Sequence, residues 1–152
     1  MYNRGGPPGR SGYGGDRPPS YVASEDYLKA GYFDAKGNPR PELITAEADK
    51  VADELYRSRV GYSQARKFFS KARFIQQQLE SGQPFDTLVW RIVALDRDAA
   101  DAVGRGSAPR ELKQFIEKNV LLARRGEREF AKGFMQHFES VMAYFRYRRP
   151  SE

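Results

Sequence analysis

The chain has 152 residues, of which 26 are Lys or Arg and 20 are Asp or Glu, so its formal net charge is +6. It has no cysteine and a single histidine, His137, which excludes disulfides and thiolate chemistry and removes the ligands that most zinc sites need. No apolar run is long enough to cross a bilayer, and the N-terminus lacks the apolar core of a signal peptide, so we expect a cytoplasmic protein.

The N-terminal part of the chain offers little to pack in a core. Residues 1–20 consist largely of Gly, Pro, Arg and Tyr, which predicts a disordered tail. Glycines and prolines in the next stretch prevent a long helix there, and we expect this arm to dock on the body through Tyr27, Leu28, Tyr32 and Phe33. We therefore divide the chain into a tail, 1–26, and a helical-bundle domain, 27–149.

From Leu43 onward, apolar residues recur at helical spacing, and no polar–apolar alternation predicts a strand. Thr45 and Ser63 are predicted to cap the first two helices, Gly82 to end the second, and Pro109 to open the fourth. The predicted ranges are 45–57, 63–81, 84–95 with a possible extension to 103, 107–125 and 127–148. The fold class is thus all-α, a small bundle of four or five helices.

The positive charge is concentrated in one window. Residues 55–79 contain no acid and carry six basic side chains, Arg57, Arg59, Arg66, Lys67, Lys71 and Arg73. On a helical wheel the core face of the second helix is Ala65, Phe68, Phe69, Ala72, Ile75 and Leu79. The pairs Arg66/Arg73 and Lys67/Lys71 form two adjacent stripes on the solvent face. Such segregated charge favours a polyanionic partner, and nucleic acid is the commonest.

The start of the second helix is unfavourable for stability and well suited to a phosphate. Arg66 and Lys67 are predicted to lie in the first turn, where the helix dipole disfavours cations by a few tenths of a kcal/mol up to about one. Free N–H groups, Ser63 and Gln64 complete the predicted anion site, with Arg57 and Arg59 at the same end. Arg105, between two glycines, can supply a second contact to a phosphate backbone. The alternative is an ordinary solvated basic face.

Two aromatic residues have two interpretations each. Phe74 falls among the cations and can stack on an unpaired base, although packing against a neighbouring helix, the arm or another subunit is favoured. Trp90 belongs either to a helix central in the bundle or to a surface for a protein partner.

Other candidate residues favour structural roles. His137 lies beside the core stripe of the last helix, which favours a structural role. Asp96, Asp98 and Asp101 lack the spacing of a calcium loop and are assigned to turns and caps. We find no catalytic constellation, metal site or cofactor site.

Five stretches, taken in order, resemble the small subunit of the type III-A CRISPR (Csm) effector complex. They are YFDAKG at 32–37, LITAEADKVADEL at 43–55, SQARKFF at 63–69, AVGRGSAPRELKQFIEK at 102–118 and FMQHFESVMAYFRY at 134–147. In that family a Tyr-Phe-Asp arm, a Ser-Gln-x-Arg helix start, a Gly-Arg before the fourth helix and a closing aromatic helix occur in this order. The likeness covers about residues 27–149.

The resemblance implies a non-enzymatic helical bundle whose copies stack along the guide RNA–target RNA duplex. The implied partners are guide and target RNA, the backbone and large subunits of the complex and other copies of itself, but no membrane. Target cleavage belongs to the backbone subunit, and DNA cleavage and cyclic oligoadenylate synthesis belong to the large one. The family's helix start falls on Ser63, Gln64 and Arg66, and its Gly-Arg falls on Gly104 and Arg105, while Lys67 and Lys71 extend the face.

The resulting hypothesis is an RNA-binding, non-catalytic effector subunit that grips the target-strand backbone. Its predicted RNA-binding residues are Arg57, Arg59, Ser63, Gln64, Arg66, Lys67, Lys71, Arg73 and Arg105. Two alternatives remain open. Helix 45–57, the turn with Gly61 and the helix opening SQAR also fit a DNA-binding helix-turn-helix. A basic face can equally meet an acidic protein.

Overall fold

The computed structural model describes residues 19–148, so most of the predicted tail lies outside them. Within this range there are five α-helices, α1 Ala46–Arg57, α2 Tyr62–Glu80, α3 Val89–Gly104, α4 Arg110–Ala123 and α5 Met135–Arg148. A π-helical segment, Glu129–Phe134, leads directly into α5, and short 3-10 turns occupy Pro41–Ile44 and Phe85–Thr87. The predicted all-α bundle is confirmed. No helix of the described range is long and apolar enough to span a membrane.

The helix caps predicted at Thr45 and Ser63 are not formed. Thr45 precedes α1, but its hydroxyl donates to the carbonyl of Pro41, and it makes no cap to the helix. Helix α2 begins at Tyr62 after Gly61, so Ser63 lies inside the helix and makes no cap either. The third helix also starts later than predicted, because the chain after Pro84 first makes a 3-10 turn.

Helix α5 is the central element of the bundle. Helix α1 packs mainly on α5, α2 packs on both α5 and α3, and α3 packs mainly on α4. Aromatic rings fill the contacts: Phe138 of α5 meets Phe115 of α4 and Phe69 of α2 edge to face, each with ring centroids 5.2 Å apart. Edge-to-face pairs add stabilisation beyond their buried area, so this aromatic stripe holds three helices together.

The predicted docking of the arm is confirmed. Tyr27, Leu28 and Tyr32 are buried, and Phe33 packs partly against the core. The docked segment begins earlier than the predicted boundary at residue 27, because Val22 is also buried and its N–H donates to the carboxylate of Glu54 at 2.9 Å.

A glycine in the π-helical segment makes room for the arm. A Cβ added at Gly133 would lie 2.3 Å from the ring of Tyr32, so only glycine lets the arm approach this closely.

A buried hydrogen-bond network connects the arm to the last two helices. The hydroxyl of Tyr27 receives a hydrogen bond from the Asn119 amide at 2.9 Å and donates to Nε2 of His137 at 2.7 Å. Nδ1 of His137 donates to the carbonyl of Leu43 at 2.7 Å, and the hydroxyl of Tyr32 donates to Oδ1 of Asn119 at 2.7 Å. Both ring nitrogens are thus satisfied by a neutral imidazole, which confirms the structural interpretation of His137 but places it deep in the core.

The network is stable only while His137 is uncharged. Burial lowers the pKa of His137 to about 4, against the opposing effect of its hydrogen bond to the Leu43 carbonyl. Protonation would also put a second N–H against the Tyr27 hydroxyl, which then could no longer donate to Nε2.

We predict that the chain loses stability between pH 6.5 and pH 4 because of His137. The unfolded chain, with the ordinary histidine pKa of 6.5, takes up the proton first, so the contribution is complete above pH 6.5 and is lost as the pH falls toward the folded-state pKa of about 4. The loss amounts to about 3 kcal/mol in the free energy of unfolding. Urea unfolding at each pH measures it. His137→Asn should be less stable at pH 7, and its free energy of unfolding should change less with pH than that of the wild type. Equal slopes of unfolding free energy against pH would contradict the role given to His137.

Candidate nucleic-acid interface

The solvent face of α2 forms a ridge between two grooves, with the two basic stripes on opposite sides. Arg66 and Arg73 line a groove of about 500 Å³ that α2 forms with α5. Lys67 and Lys71 line a larger groove of about 630 Å³ that α2 forms with α3. Ser70 and Phe74 line both grooves and therefore mark the crest of the ridge.

The start of α2 leaves backbone N–H groups without an intrahelical acceptor, as predicted, but the helix begins two residues earlier than a cap at Ser63 implies. The first helical hydrogen bond runs from the N–H of Ala65 to the carbonyl of Gly61, which leaves the N–H groups of residues 62–64 ahead of it. Because Gly61 rather than Ser63 is the N-cap, Arg66 and Lys67 lie two residues further into the helix than predicted. They are therefore beyond its first turn, where the dipole disfavours them less.

Three of the predicted RNA-binding cations form ion pairs with carboxylates that lie outside the acid-free window, residues 55–79. Arg57 pairs with Asp53 at 2.8 Å, Lys71 with Asp98 at 3.0 Å and Arg105 with Asp101 at 3.0 Å. These pairs are largely solvent-exposed, and such pairs are worth about 0–1 kcal/mol, so a phosphate can replace the carboxylate.

The other predicted cations carry no such partner. Within residues 19–148, the side chains of Arg59, Arg66 and Lys67 make no ion pair, and that of Arg73 lies over the Phe69 ring at 5.9 Å.

Asp98 partly neutralises the larger groove. Its carboxylate accepts hydrogen bonds from Lys71 at 3.0 Å and from Arg97 at 3.2 Å. Burial alone would raise the pKa of Asp98, but the bonds and charges of Lys71 and Arg97 outweigh it and hold the pKa below its usual value. Asp98 therefore stays ionised at neutral pH. With Lys67, Lys71, Arg91 and Arg97 also lining this groove, an excess of three positive charges remains.

Arg59 adopts a backbone conformation that normally requires glycine. Helices α1, α2 and α3 end in the same pair of hydrogen bonds, exemplified by Val60 N–H to the Leu55 carbonyl and Arg59 N–H to the Tyr56 carbonyl. The left-handed position of this motif is filled by Gly82 after α2 and Gly106 after α3, but by Arg59, at φ +67°, after α1. An arginine there costs about 1–2 kcal/mol of strain relative to glycine.

Helix direction brings further basic residues to the same end of the bundle. Helices α2 and α3 run antiparallel, as the contacts of Lys71 with Asp98 and of Phe74 with Arg91 indicate. The end of α3, with Arg105, thus lies at the same end as the start of α2. The structure also adds Arg146, whose guanidinium donates to the Tyr62 hydroxyl at 3.1 Å. Only the antiparallel packing of α2 on α5 could have revealed it.

The aromatic residues of the larger groove are exposed. Phe74 is 52% exposed, so it is not buried against a neighbouring helix or the arm, and packing against another subunit stays a prediction. Trp90 is 58% exposed, so its side of α3 is not central in the bundle. The Arg91 guanidinium lies near both rings, 4.5 Å from the Trp90 ring centroid and 5.9 Å from that of Phe74.

The aspartates of α3 have different roles from those predicted. All three lie within the helix rather than in turns or caps, and each pairs with a basic side chain: Asp96 with Lys113, Asp98 with Lys71 and Asp101 with Arg105. Among residues 19–148 no group of three His, Asp or Glu side chains could hold a metal ion.

The helix-turn-helix alternative does not match the packing. Both α1 and α2 pack mainly on α5 rather than on each other, whereas the two helices of that motif form one compact unit.

We predict that Arg59→Gly changes stability and RNA binding in opposite directions. Removing the left-handed strain should stabilise the fold by about 0.5–1 kcal/mol, after allowance for the larger entropy of an unfolded chain with glycine. Single-stranded RNA should bind more weakly, because one cation is lost. Thermal unfolding and RNA titration measure the two effects, and Arg59→Lys, which keeps charge and strain, is the control. A destabilised Arg59→Gly would mean that the side chain supports the fold.

Comparison with known proteins identifies the family. The family model Csm2 Type III-A matches residues 38–151, three quarters of the chain and most of the region in which the resemblance was noted. Neither the comparison with curated proteins nor the comparison with solved structures gives a match. The chain therefore belongs to the Csm2 Type III-A family and is a small subunit of a type III-A CRISPR (Csm) effector complex.

Proposed function

We propose that this subunit binds RNA backbone through the exposed face of α2, without catalysing a reaction. The observation that carries the proposal is a set of cations at one end of the bundle that make no ion pair within residues 19–148. They are Arg59 in its strained turn, and Arg66 and Lys67 in the turn after the free N–H groups of α2. Phosphate contacts of this kind position a protein on RNA without reading the bases, so binding is insensitive to sequence.

Within the effector complex, this face meets the target-strand backbone of the guide–target RNA. Copies of the subunit lie along that RNA and contact the backbone and large subunits of the complex. Support for this arrangement comes from family membership, and the basic ridge supplies the charge that it requires. Arg57, Lys71 and Arg105 exchange their carboxylate partners for phosphates when RNA binds, at little cost because the pairs are exposed.

The residue types that most often carry out catalysis favour a non-catalytic role for this chain. The only histidine is buried with both ring nitrogens hydrogen-bonded, so it has neither access to a substrate nor a free site for a proton. The chain also has no thiol that could act as a nucleophile.

We predict a moderate salt dependence of binding to single-stranded RNA. Four basic side chains of this face, Arg59, Arg66, Lys67 and Arg73, make no ion pair within the described range. Arg57, Lys71 and Arg105 give up one carboxylate for each phosphate that they gain and so add little to the net exchange of salt ions. If each of the four unpaired cations neutralises one phosphate, the slope of log K against log salt is about −3. The double variant Arg66→Ala, Lys67→Ala should reduce the slope to about −1.4 and weaken binding roughly tenfold or more at 0.1 M salt. Its melting temperature should be unchanged or slightly higher.

The matched control is Arg124→Ala, Arg125→Ala, which removes the same charge from exposed residues that follow α4, at the end of the bundle away from the start of α2. It should keep the wild-type slope. If both double variants weaken binding equally, RNA affinity depends on the net charge of the protein alone, and the face of α2 is not a specific RNA-binding site. Tight, sequence-selective binding to duplex DNA with weak RNA affinity would favour the helix-turn-helix alternative instead.

A further inference from the structure

The larger groove has properties that backbone binding does not explain. Phosphate contacts need cations and N–H groups, yet this groove between α2 and α3 also exposes two large aromatic rings. Tryptophan and phenylalanine exposed together on one surface usually mark a binding site. Its volume of about 630 Å³ falls within the range of about 300–1,000 Å³ that is typical of ligand pockets.

We propose that this groove binds an unpaired RNA base, stacked on Trp90 and Phe74, with the adjoining phosphate held by Lys67. The inference rests on the proposed RNA-binding function and extends it from backbone to base. A flat apolar ring attached to a negative charge is the ligand that fits aromatic walls with a surplus of three positive charges.

The arrangement of Arg91 supports a stacked ligand. Its guanidinium lies over the Trp90 ring, 4.5 Å from the ring centroid, and 5.9 Å from the Phe74 ring centroid, so a flat cation already lies within cation–π distance of both rings. Arginine planes stack on bases as they do on aromatic side chains. A base can therefore insert beside Arg91 or take its position, and in both cases it stays among apolar surfaces.

The groove is also continuous with the proposed phosphate face. Lys67 and Lys71 line the groove and belong to the exposed side of α2, and Ser70 and Phe74 connect it with the neighbouring groove that holds Arg66. A strand lying along the α2 ridge thus brings its bases within reach of the aromatic rings. The ligand is expected to be sequence-tolerant, because every base presents a flat face to a ring.

A single titration can test base and backbone binding separately, because Trp90 is the only tryptophan of the chain. The fluorescence anisotropy of a labelled oligouridine of about ten nucleotides reports binding, and Trp90 fluorescence reports occupation of the groove. We expect both signals to change together with oligouridine. An abasic RNA oligomer of the same length, which has the phosphates but no bases, should raise the anisotropy without quenching Trp90.

Substitution of the ring gives the second measurement. Trp90→Ala should weaken oligouridine binding roughly 5- to 150-fold, toward the affinity of the abasic oligomer, and leave the abasic oligomer unaffected. Trp90→Phe should restore part of the affinity. Leu121→Ala, which truncates another exposed apolar side chain on α4, is the control and should change neither.

Two results would overturn the inference, and they have different consequences. If oligouridine raises the anisotropy but leaves Trp90 unquenched and Trp90→Ala binds normally, RNA uses the α2 face alone, and the groove is a surface for another protein. If oligouridine produces no anisotropy change, the proposed function fails together with the inference.

Discussion

A neutral, doubly hydrogen-bonded imidazole joins the parts of this chain that are most distant in sequence. His137 on α5 binds Tyr27 of the arm and the Leu43 carbonyl before α1, and Tyr27 in turn binds Asn119 of α4. The longest of these bonds spans 110 residues, so the arm is ordered by contacts with the far end of the chain. Because α5 also packs on α1 and α2, His137 lies in the helix that contacts most of the bundle.

This organisation separates the parts of the molecule that hold the fold from the part that is free to bind. The polar groups of the arm network are all satisfied internally, and the aromatic stripe of α5 is buried. The cations and rings of α2 and α3, by contrast, face solvent, and the carboxylates near them form only exposed pairs. Helix α2 belongs to both parts, because its face with Ala65, Phe68 and Ala72 is core while its other face is the proposed RNA site.

Local rules were enough to predict the helices and their buried faces. Gly82 and Gly126 separate helices as expected, and the apolar spacing in α2 identifies residues that are buried or partly buried. The predicted capping role of Ser63 was wrong because an extended Gly61 is the N-cap, two residues earlier.

Local sequence rules could not predict the contacts between residues that are distant in the chain. Asp98 reaches Lys71 across 27 residues, and the groove of Trp90 and Phe74 exists only because α2 and α3 run antiparallel. The close approach of Tyr32 to Gly133, within the π-helical segment, is another such contact, and no periodicity of the sequence encodes it.

The central claim is that RNA meets one side of this bundle and leaves the arm network unchanged. Hydrogen–deuterium exchange of the full chain, with and without single-stranded RNA, tests it most directly. The account predicts slower exchange in 59–75 and 89–98, and no change in 20–43 or around His137. Protection confined to the arm or to α4, with α2 exchanging as in the free chain, would contradict it.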